Sequence, residues 1–151
     1  MAKAKALTTK YLIIGNSAGG IGAAEAIREI DRDGQITIVS DEPYPCYSRP
    51  LISKYLSKER TLETMLFRPA DFYRRNNINP ILGRQVKSLG LGDCTAELED
   101  GEFSISWEKL LIASGGVPIV PKMAGAGKKG IVTFTTLDDA KAIDEFIENV
   151  H

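Results

Sequence analysis

The sequence predicts an α/β fold: a parallel sheet carrying helices, with a β-meander added to it. Three observations predict it. First, a short apolar run leads through a glycine turn into an alanine-rich helical pattern, "YLIIGNSAGGIGAAEAIRE" at residues 11–29. Second, another strand pattern follows within about 30 residues, the length of a strand–helix–strand unit, and a crossover of that kind makes its strands parallel. Third, Asp100-Gly101 sits between two alternating runs, a strong hairpin signal.

Taken in order, residues 1–9 with the basic stretch "MAKAK" read as a flexible tail, and residues 10–15 ("KYLIIG") as a short buried strand. Residues 19–31 read as a helix with Ile21, Ala24, Ile27 and Arg28 at helical spacing. Asp33-Gly34 marks a turn before a second strand at 35–40. "EPYPCYSRP" packs three prolines into nine residues and must be an irregular, extended loop.

Helical patterns follow at 50–57 and 69–76, where Pro69 suits a first turn. Strand patterns come at 79–82 and 84–89, then at 94–98, 102–106 and 109–113. The last is continuously apolar from Leu110 to Ala113, as expected of a central strand buried on both faces. Phe103, Trp107 and Phe134 fall in strand patterns and read as core packing. "KMAGAGKKG" reads as a flexible surface stretch and "IVTFTT" as a late strand. Residues 137–149 read as a helix with Ala140, Ile143, Phe146, Ile147 and Val150 on one side.

Composition narrows the function classes. With 151 residues the chain is long enough for one domain. Lys plus Arg number 19 against 20 Asp plus Glu, so no global field recruits nucleic acid or an anionic membrane. The two cysteines, Cys46 and Cys94, form no CxxC pair, and the single histidine, His151, is the last residue, so no metal site is expected. No apolar run approaches a membrane span, and no signal-peptide core is present, which points to the cytoplasm.

Gly15-Asn16-Ser17-Ala18-Gly19-Gly20 has the layout of a phosphate-binding loop. Gly15 would permit the turn out of the strand, the small residue at 17 the approach of a pyrophosphate, and Gly20 close packing of helix on sheet. Free amides at the helix start, aided by the helix dipole, would face the anion. The second strand ends in Ser40-Asp41-Glu42, and Asp41 lies 21 residues after Gly20, where a carboxylate should accept hydrogen bonds from an adenosine ribose. Ser17 is small, and its hydroxyl can donate to a phosphate oxygen, provided its backbone is one that a Cβ tolerates. On these residues alone three readings stand: a dinucleotide-dependent enzyme, a non-catalytic adenine-nucleotide-binding module, or an α/β packing domain whose glycines serve only the corner.

"GNSAGG", "PYPCYSRPLISKYL" and "LLIASGGVP", in this order, resemble the FAD-dependent pyridine nucleotide–disulfide oxidoreductase superfamily, in its ferredoxin, rubredoxin and nitrite reductase branch. The resemblance covers residues 10–147 and implies a three-layer FAD/NAD(P)-binding Rossmann-like domain over residues 10–151, the meander included. It implies that Gly15, Ser17, Ala18, Gly19 and Gly20 hold the FAD pyrophosphate and that Asp41, with Glu42 beside it, takes the adenosine ribose. Arg49, Pro50 and Lys54 would lie near the ribityl chain and flavin ring, with Lys54 supplying positive charge beside flavin N5 as the catalytic group. Val86 would meet the adenine through its backbone, and Ala113, Ser114 and Gly115 would close over the cofactor.

Ser114 replaces the family's usual threonine, and Thr135 stands where some relatives have an arginine on FAD. Cys46 lies three residues before the redox-cysteine position of some relatives, and Tyr44 and Tyr47 flank the loop as candidate pocket walls. The chain ends at "FIENVH", where the family continues into its NAD(P)H domain. It is therefore expected to be the FAD portion of a longer NAD(P)H oxidoreductase, without turnover on its own. A small redox protein or small-molecule acceptor would take the electrons; neither nucleic acid nor membrane is expected as a partner, and homo-oligomerisation is left open.

Overall fold

The computed structural model of the protein describes residues 5–101 and 103–149. Expectations for residues 1–4, Glu102, the side chain of Phe103, Val150 and His151 lie outside the described residues. Along the chain run β1 (Lys5–Ile14), α1 (Ala18–Ile30), β2 (Ile36–Ser40), α2 (Ile52–Leu56), α3 (Leu62–Met65) and α4 (Phe72–Arg75). They are followed by β3 (Ile78–Leu82), β4 (Val86–Gly90), β5 (Thr95–Leu98), β6 (Phe103–Ile112) and α5 (Leu137–Glu148). The chain forms two compact units, one of residues up to Cys46 with Arg68–Gly115, the other of Tyr47–Phe67 with the residues from Gly116 onward.

The first unit is a mixed six-stranded sheet of order β3-β2-β1-β6-β5-β4. Its β3-β2-β1-β6 half is parallel, and β5 and β4 continue it antiparallel. All five residues of β2 are buried, as a central parallel strand requires. Pro80 lies in β3, the edge strand, where a missing backbone donor is tolerated. Leu12, Val39, Ala96, Leu98 and Ile105 form the core cluster.

Two strand expectations need correcting. β1 begins at Lys5, so residues 5–9 of the expected tail are sheet, paired in parallel with residues 103–107 of β6. Thr9 explains why a polar stretch can enter the sheet: its buried hydroxyl donates to the carbonyls of Tyr11 and Gln35 at 3.2 and 3.0 Å. The two strands expected at 102–106 and 109–113 are one, because β6 pairs with β1 along its whole length and with β5 only over its first part. Burial on both faces also fails at its end, where Leu111 and Ile112 are 39% and 59% exposed.

α1 buries Gly20, Ile21 and Ala24 against the sheet. Arg28, on the same helix, serves the loops instead: its guanidinium donates to the carbonyls of Asp31, Gly34, Asn76 and Asn77 at 2.6–2.9 Å for the four contacts, Asn76 receiving the shortest. Asp31 closes the expected Asp33-Gly34 turn by accepting from the Gly34 amide at 2.8 Å. The Lys10 ammonium, then the Gly34 amide and the Tyr11 hydroxyl, hold its carboxyl well below the usual range.

The second unit is helical. Arg49–Leu51 form a single 3-10 turn with Pro50 near its start, leading into α2 as the sequence predicts. α3 was not legible beforehand; Thr61 and Thr64 close its first turn reciprocally. Thr136 caps α5, accepting from the Asp139 amide at 3.1 Å, while Asp139 accepts from the amides of Thr135 and Thr136 at 2.7 and 2.9 Å. Leu137 and Ala140 of α5 are buried, but Phe146 and Ile147 are 36% and 60% exposed, so the expected apolar side is covered only along its first half. "IVTFTT" is not a strand: it pairs with no strand among the described residues, and Ile131 and Val132 are exposed. No helix among the described residues is long and apolar enough to cross a membrane.

The seat of α1 gives a paired prediction. A Cβ on Gly20 would stand 2.0 Å from the Gly15 carbonyl oxygen, whereas one on Gly22 meets nothing within 4 Å. Gly20→Ala should cost about 3 kcal/mol of stability by overpacking. Gly22→Ala should add roughly 0.5–1 kcal/mol through helix propensity. Urea unfolding of the two variants checks both signs.

Candidate functional site

The carboxyl ends of all four parallel strands carry the residues singled out from the sequence or lead into them. Gly15 follows β1, Asp41 follows β2, Gly83 follows β3, and Ala113 follows β6. The chain leaves β1 for β2 on one side, while β6 lies on the other. β1 is thus the point where the connections diverge, and in such sheets the crevice outside the strand ends is where ligands bind.

Gly15 turns the chain out of β1 at φ +117°, a conformation that side chains disfavour. A Cβ there would stand 2.2 Å from the Ala113 carbonyl oxygen. The amide of Gly15 donates to Val39 at 2.8 Å and that of Ala113 to Ile14 at 2.7 Å, so strand ends and loop are joined backbone to backbone. Ser17 is the N-cap residue of α1, at φ −119° and ψ −165°, an extended conformation open to any residue, and its side chain makes no capping hydrogen bond. The first helical bond runs from the Ile21 amide to the Ser17 carbonyl at 2.9 Å. The amides of Ala18, Gly19 and Gly20 have no acceptor within the helix, and Ala18 and Gly19 are exposed, so donors are available where the dipole is positive.

Asp41 is exposed and lines a cleft of about 450 Å³ with Gly83, Arg84, Gln85, Glu99 and Asp100. Ligand clefts commonly fall within roughly 300–1,000 Å³. Glu42 shapes one wall: its amide donates to Asp41 Oδ1 at 3.0 Å, and its carbonyl accepts from Gly83 at 3.1 Å. Arg84 forms an ion pair with Asp100 and donates its amide to Ser40 at 2.8 Å. Half-buried Val86 comes directly after the lining residues and opens β4. Sequence reasoning missed Arg84, Gln85, Glu99 and Asp100. The Asp100-Gly101 hairpin signal was the only pointer to this wall.

The proline loop is tied to the glycine loop. Asn16 donates to the Tyr44 carbonyl at 3.1 Å and accepts from the Tyr73 hydroxyl at 2.8 Å, and that hydroxyl accepts from the Cys46 amide at 3.0 Å. Nothing in the sequence singled out Asn16 or Tyr73. Burial pushes the Cys46 thiol up, which keeps it protonated and disfavours the redox-cysteine reading. Ala113 is half-buried, Ser114 and Gly115 are exposed, and Gly115 has φ +75°.

Arg49, Pro50 and Lys54 belong to the helical unit. Arg49 donates to the Thr135 carbonyl at 3.1 Å and lies over the Tyr47 ring, and Pro50 is exposed. Lys54 pairs with Glu59 at 2.8 Å, and Ser57 also donates to Glu59 at 2.8 Å. Tyr47 is buried, its hydroxyl accepting from the Leu137 amide at 3.0 Å. Among the described residues no group of three or more His, Cys, Asp or Glu side chains could hold a metal ion.

A family model described as pyridine nucleotide-disulphide oxidoreductase matches residues 9–147. The chain belongs to that family. It is 36% identical over 132 residues to the NADH-dependent phenylglyoxylate dehydrogenase subunit epsilon of Aromatoleum evansii, covering 87% of this chain and 31% of that protein. To the NADH-rubredoxin oxidoreductase of Clostridium acetobutylicum it is 31% identical over 142 residues, covering 94% of this chain and 36% of that one. The crystal structure of NADH:rubredoxin oxidoreductase from the same organism superposes with a TM-score of 0.79 at 30% identity, over 94% of this chain and 36% of that one. The chain thus spans about a third of the length of these relatives.

Tyr73 supplies a pH prediction. Burial pushes its phenol up to about 12, against an ordinary value of 10.0. The fold therefore favours the neutral phenol. That contribution is complete below pH 10 and is lost as pH rises from there towards 12. Between about pH 9 and pH 10.5 the unmodified protein should lose about 1 kcal/mol more stability than Tyr73→Phe. Denaturant unfolding at both pH values checks it.

Proposed function

We propose that the chain is the FAD-binding portion of a flavoprotein oxidoreductase that passes electrons from NAD(P)H to an acceptor. The observation that carries this reading is the backbone packing of Gly15, Gly20 and Ala113 at the carboxyl ends of the parallel strands. It leaves small-residue amides at the start of α1, at the same end of the sheet where Asp41 and its cleft follow β2. The residues present fit the adenosine diphosphate half of FAD: an amide cradle without room for side chains at two points, and a carboxylate beside an open cleft.

In this reading the amides of Ala18, Gly19 and Gly20 hold the pyrophosphate, with the Ser17 hydroxyl as a further donor. Asp41 accepts from the ribose hydroxyls, with Glu42 setting its orientation. Val86 meets the adenine through its backbone, and Ala113, Ser114 and Gly115 line the cofactor from the end of β6. Arg49, Pro50 and Lys54 are assigned to the flavin end on the strength of the resemblance. When bound, FAD supplies the electron-transfer chemistry; the chain binds and orients it. Lys54, whose ammonium pairs with Glu59, would supply positive charge to the flavin, which favours its anionic reduced form. The acceptor is a small redox protein or a small molecule, in keeping with relatives named as rubredoxin and ferredoxin reductases.

The full-length protein should be yellow, with flavin absorption bands. A colourless preparation that also refuses added FAD sinks the proposal, and one that takes only ADP leaves a nucleotide-binding module. Asp41→Ala should weaken FAD binding about 10- to 100-fold, the worth of roughly 1.5–3 kcal/mol for hydrogen bonds to a charged group. Lys54→Met should make the flavin harder to reduce, read as a more negative potential in a dye-coupled titration.

A further inference from the structure

Asn16 lies inside the candidate phosphate loop, between Gly15 and Ser17, and its side chain is committed elsewhere. It accepts from Tyr73 at 2.8 Å and donates to the Tyr44 carbonyl at 3.1 Å. Tyr73 is rooted in α4, 8% exposed, with its ring edge-on to Phe72 at 5.6 Å, and it takes the Cys46 amide at 3.0 Å. Three hydrogen bonds therefore run through one amide and one phenol, and they join the phosphate loop, α4 and the proline segment at 43–46. Both ends are buried or half-buried, so breaking a link leaves polar backbone without water to replace it.

We propose that Asn16 and Tyr73 form a latch through which the phosphate loop and the segment at 43–46 are ordered together, so that a dinucleotide pyrophosphate in the loop and closure of that segment strengthen one another. This rests on the nucleotide reading of the loop. The coupling follows from linkage: whatever the latch contributes to holding the loop amides in their binding arrangement is returned as affinity, and binding stabilises the latch by the same amount. Neither residue needs to touch the ligand. Both are positioning residues. Cys46 is the built-in reporter: it is 2% exposed, and burial keeps its thiol protonated, so it reacts only when the segment opens.

The test uses the full-length protein stripped of FAD, with Asn16→Ala, Tyr73→Phe and the double variant, each shown by circular dichroism to be folded at the assay temperature. FAD affinity is read by fluorescence quenching, and Cys46 alkylation by mass spectrometry with and without FAD. Each single variant should bind FAD about tenfold more weakly, and the double variant no more weakly than the worse single, since both break one link. FAD should slow Cys46 alkylation about tenfold in the unmodified protein and leave it unchanged in the variants. A residue that served only stability would move the unfolding midpoint and leave the affinity of the folded protein alone.

The latch is overturned if folded variants bind FAD within about twofold of the unmodified protein, or if FAD leaves Cys46 alkylation in the unmodified protein unchanged. The second measurement needs no variant, so a variant that fails to fold leaves it decisive. An unmodified protein that takes no FAD overturns the nucleotide reading and the latch with it, a result distinct from binding that the variants do not alter.

Discussion

The structure turns on three stretches of backbone in contact where β1 ends. Gly15 leaves the strand with its α-carbon facing the Ala113 carbonyl, and Gly20 brings α1 down onto the Gly15 carbonyl. A methyl group at either position would stand about 2 Å from an oxygen. The helix would have to lift from the sheet, or β6 part from β1. Because neither happens, the first turn of α1 is fixed against the strand ends, and its unbonded amides are held at one place. That placement is what makes a helix start useful for an anion: the dipole is present in any helix, but a donor array in fixed register needs a rigid mount.

Around this edge, irregular backbone is held by side chains rather than by ladders. Arg28 gathers four carbonyls from two loops, and Asp31 answers with the Lys10 ammonium, the Gly34 amide and the Tyr11 hydroxyl. Asn16 and Tyr73 do the same for the proline loop, and Thr136 with Asp139 for the entry to α5. Each device meets the same requirement: a buried or half-buried peptide group outside helix and sheet must find a partner. A planar guanidinium with several donors, or a carboxamide that donates and accepts, satisfies it with the fewest residues.

Legibility from sequence followed the range of the interaction. The strand–turn–helix start, the Asp33-Gly34 turn, the Asp100-Gly101 hairpin and α5 are set by neighbours in the chain, and they stand where the pattern put them to within a residue or two. Residues 5–9 looked like a tail because their polarity is answered largely across the sheet, by β6 and the Gln35 carbonyl. The break expected near Trp107 is absent because β6 loses its β5 neighbour there but keeps β1, so its pattern shifts while its backbone runs on. "IVTFTT" has strand propensity, but propensity without a paired edge makes no strand. At the candidate site, the turn at Gly15 and the close packing at Gly20 were legible because backbone sterics dictate them, and the position of Asp41 because it ends a strand. Arg84, Asp100, Asn16 and Tyr73 were not, since what they do depends on partners 16 to 57 residues away.

Ser17 shows how much of a glycine motif is required. Glycine is needed where φ is positive or where a Cβ has no room, and in this loop those conditions hold at Gly15 and Gly20. At residue 17 the backbone is extended, so a serine sits without strain. At residue 19 an added Cβ would meet the Ala113 methyl group at 3.6 Å, an ordinary contact. The departure from the usual glycine spacing therefore leaves the geometry untouched. It also adds a hydroxyl at the cap of α1 that makes no capping hydrogen bond.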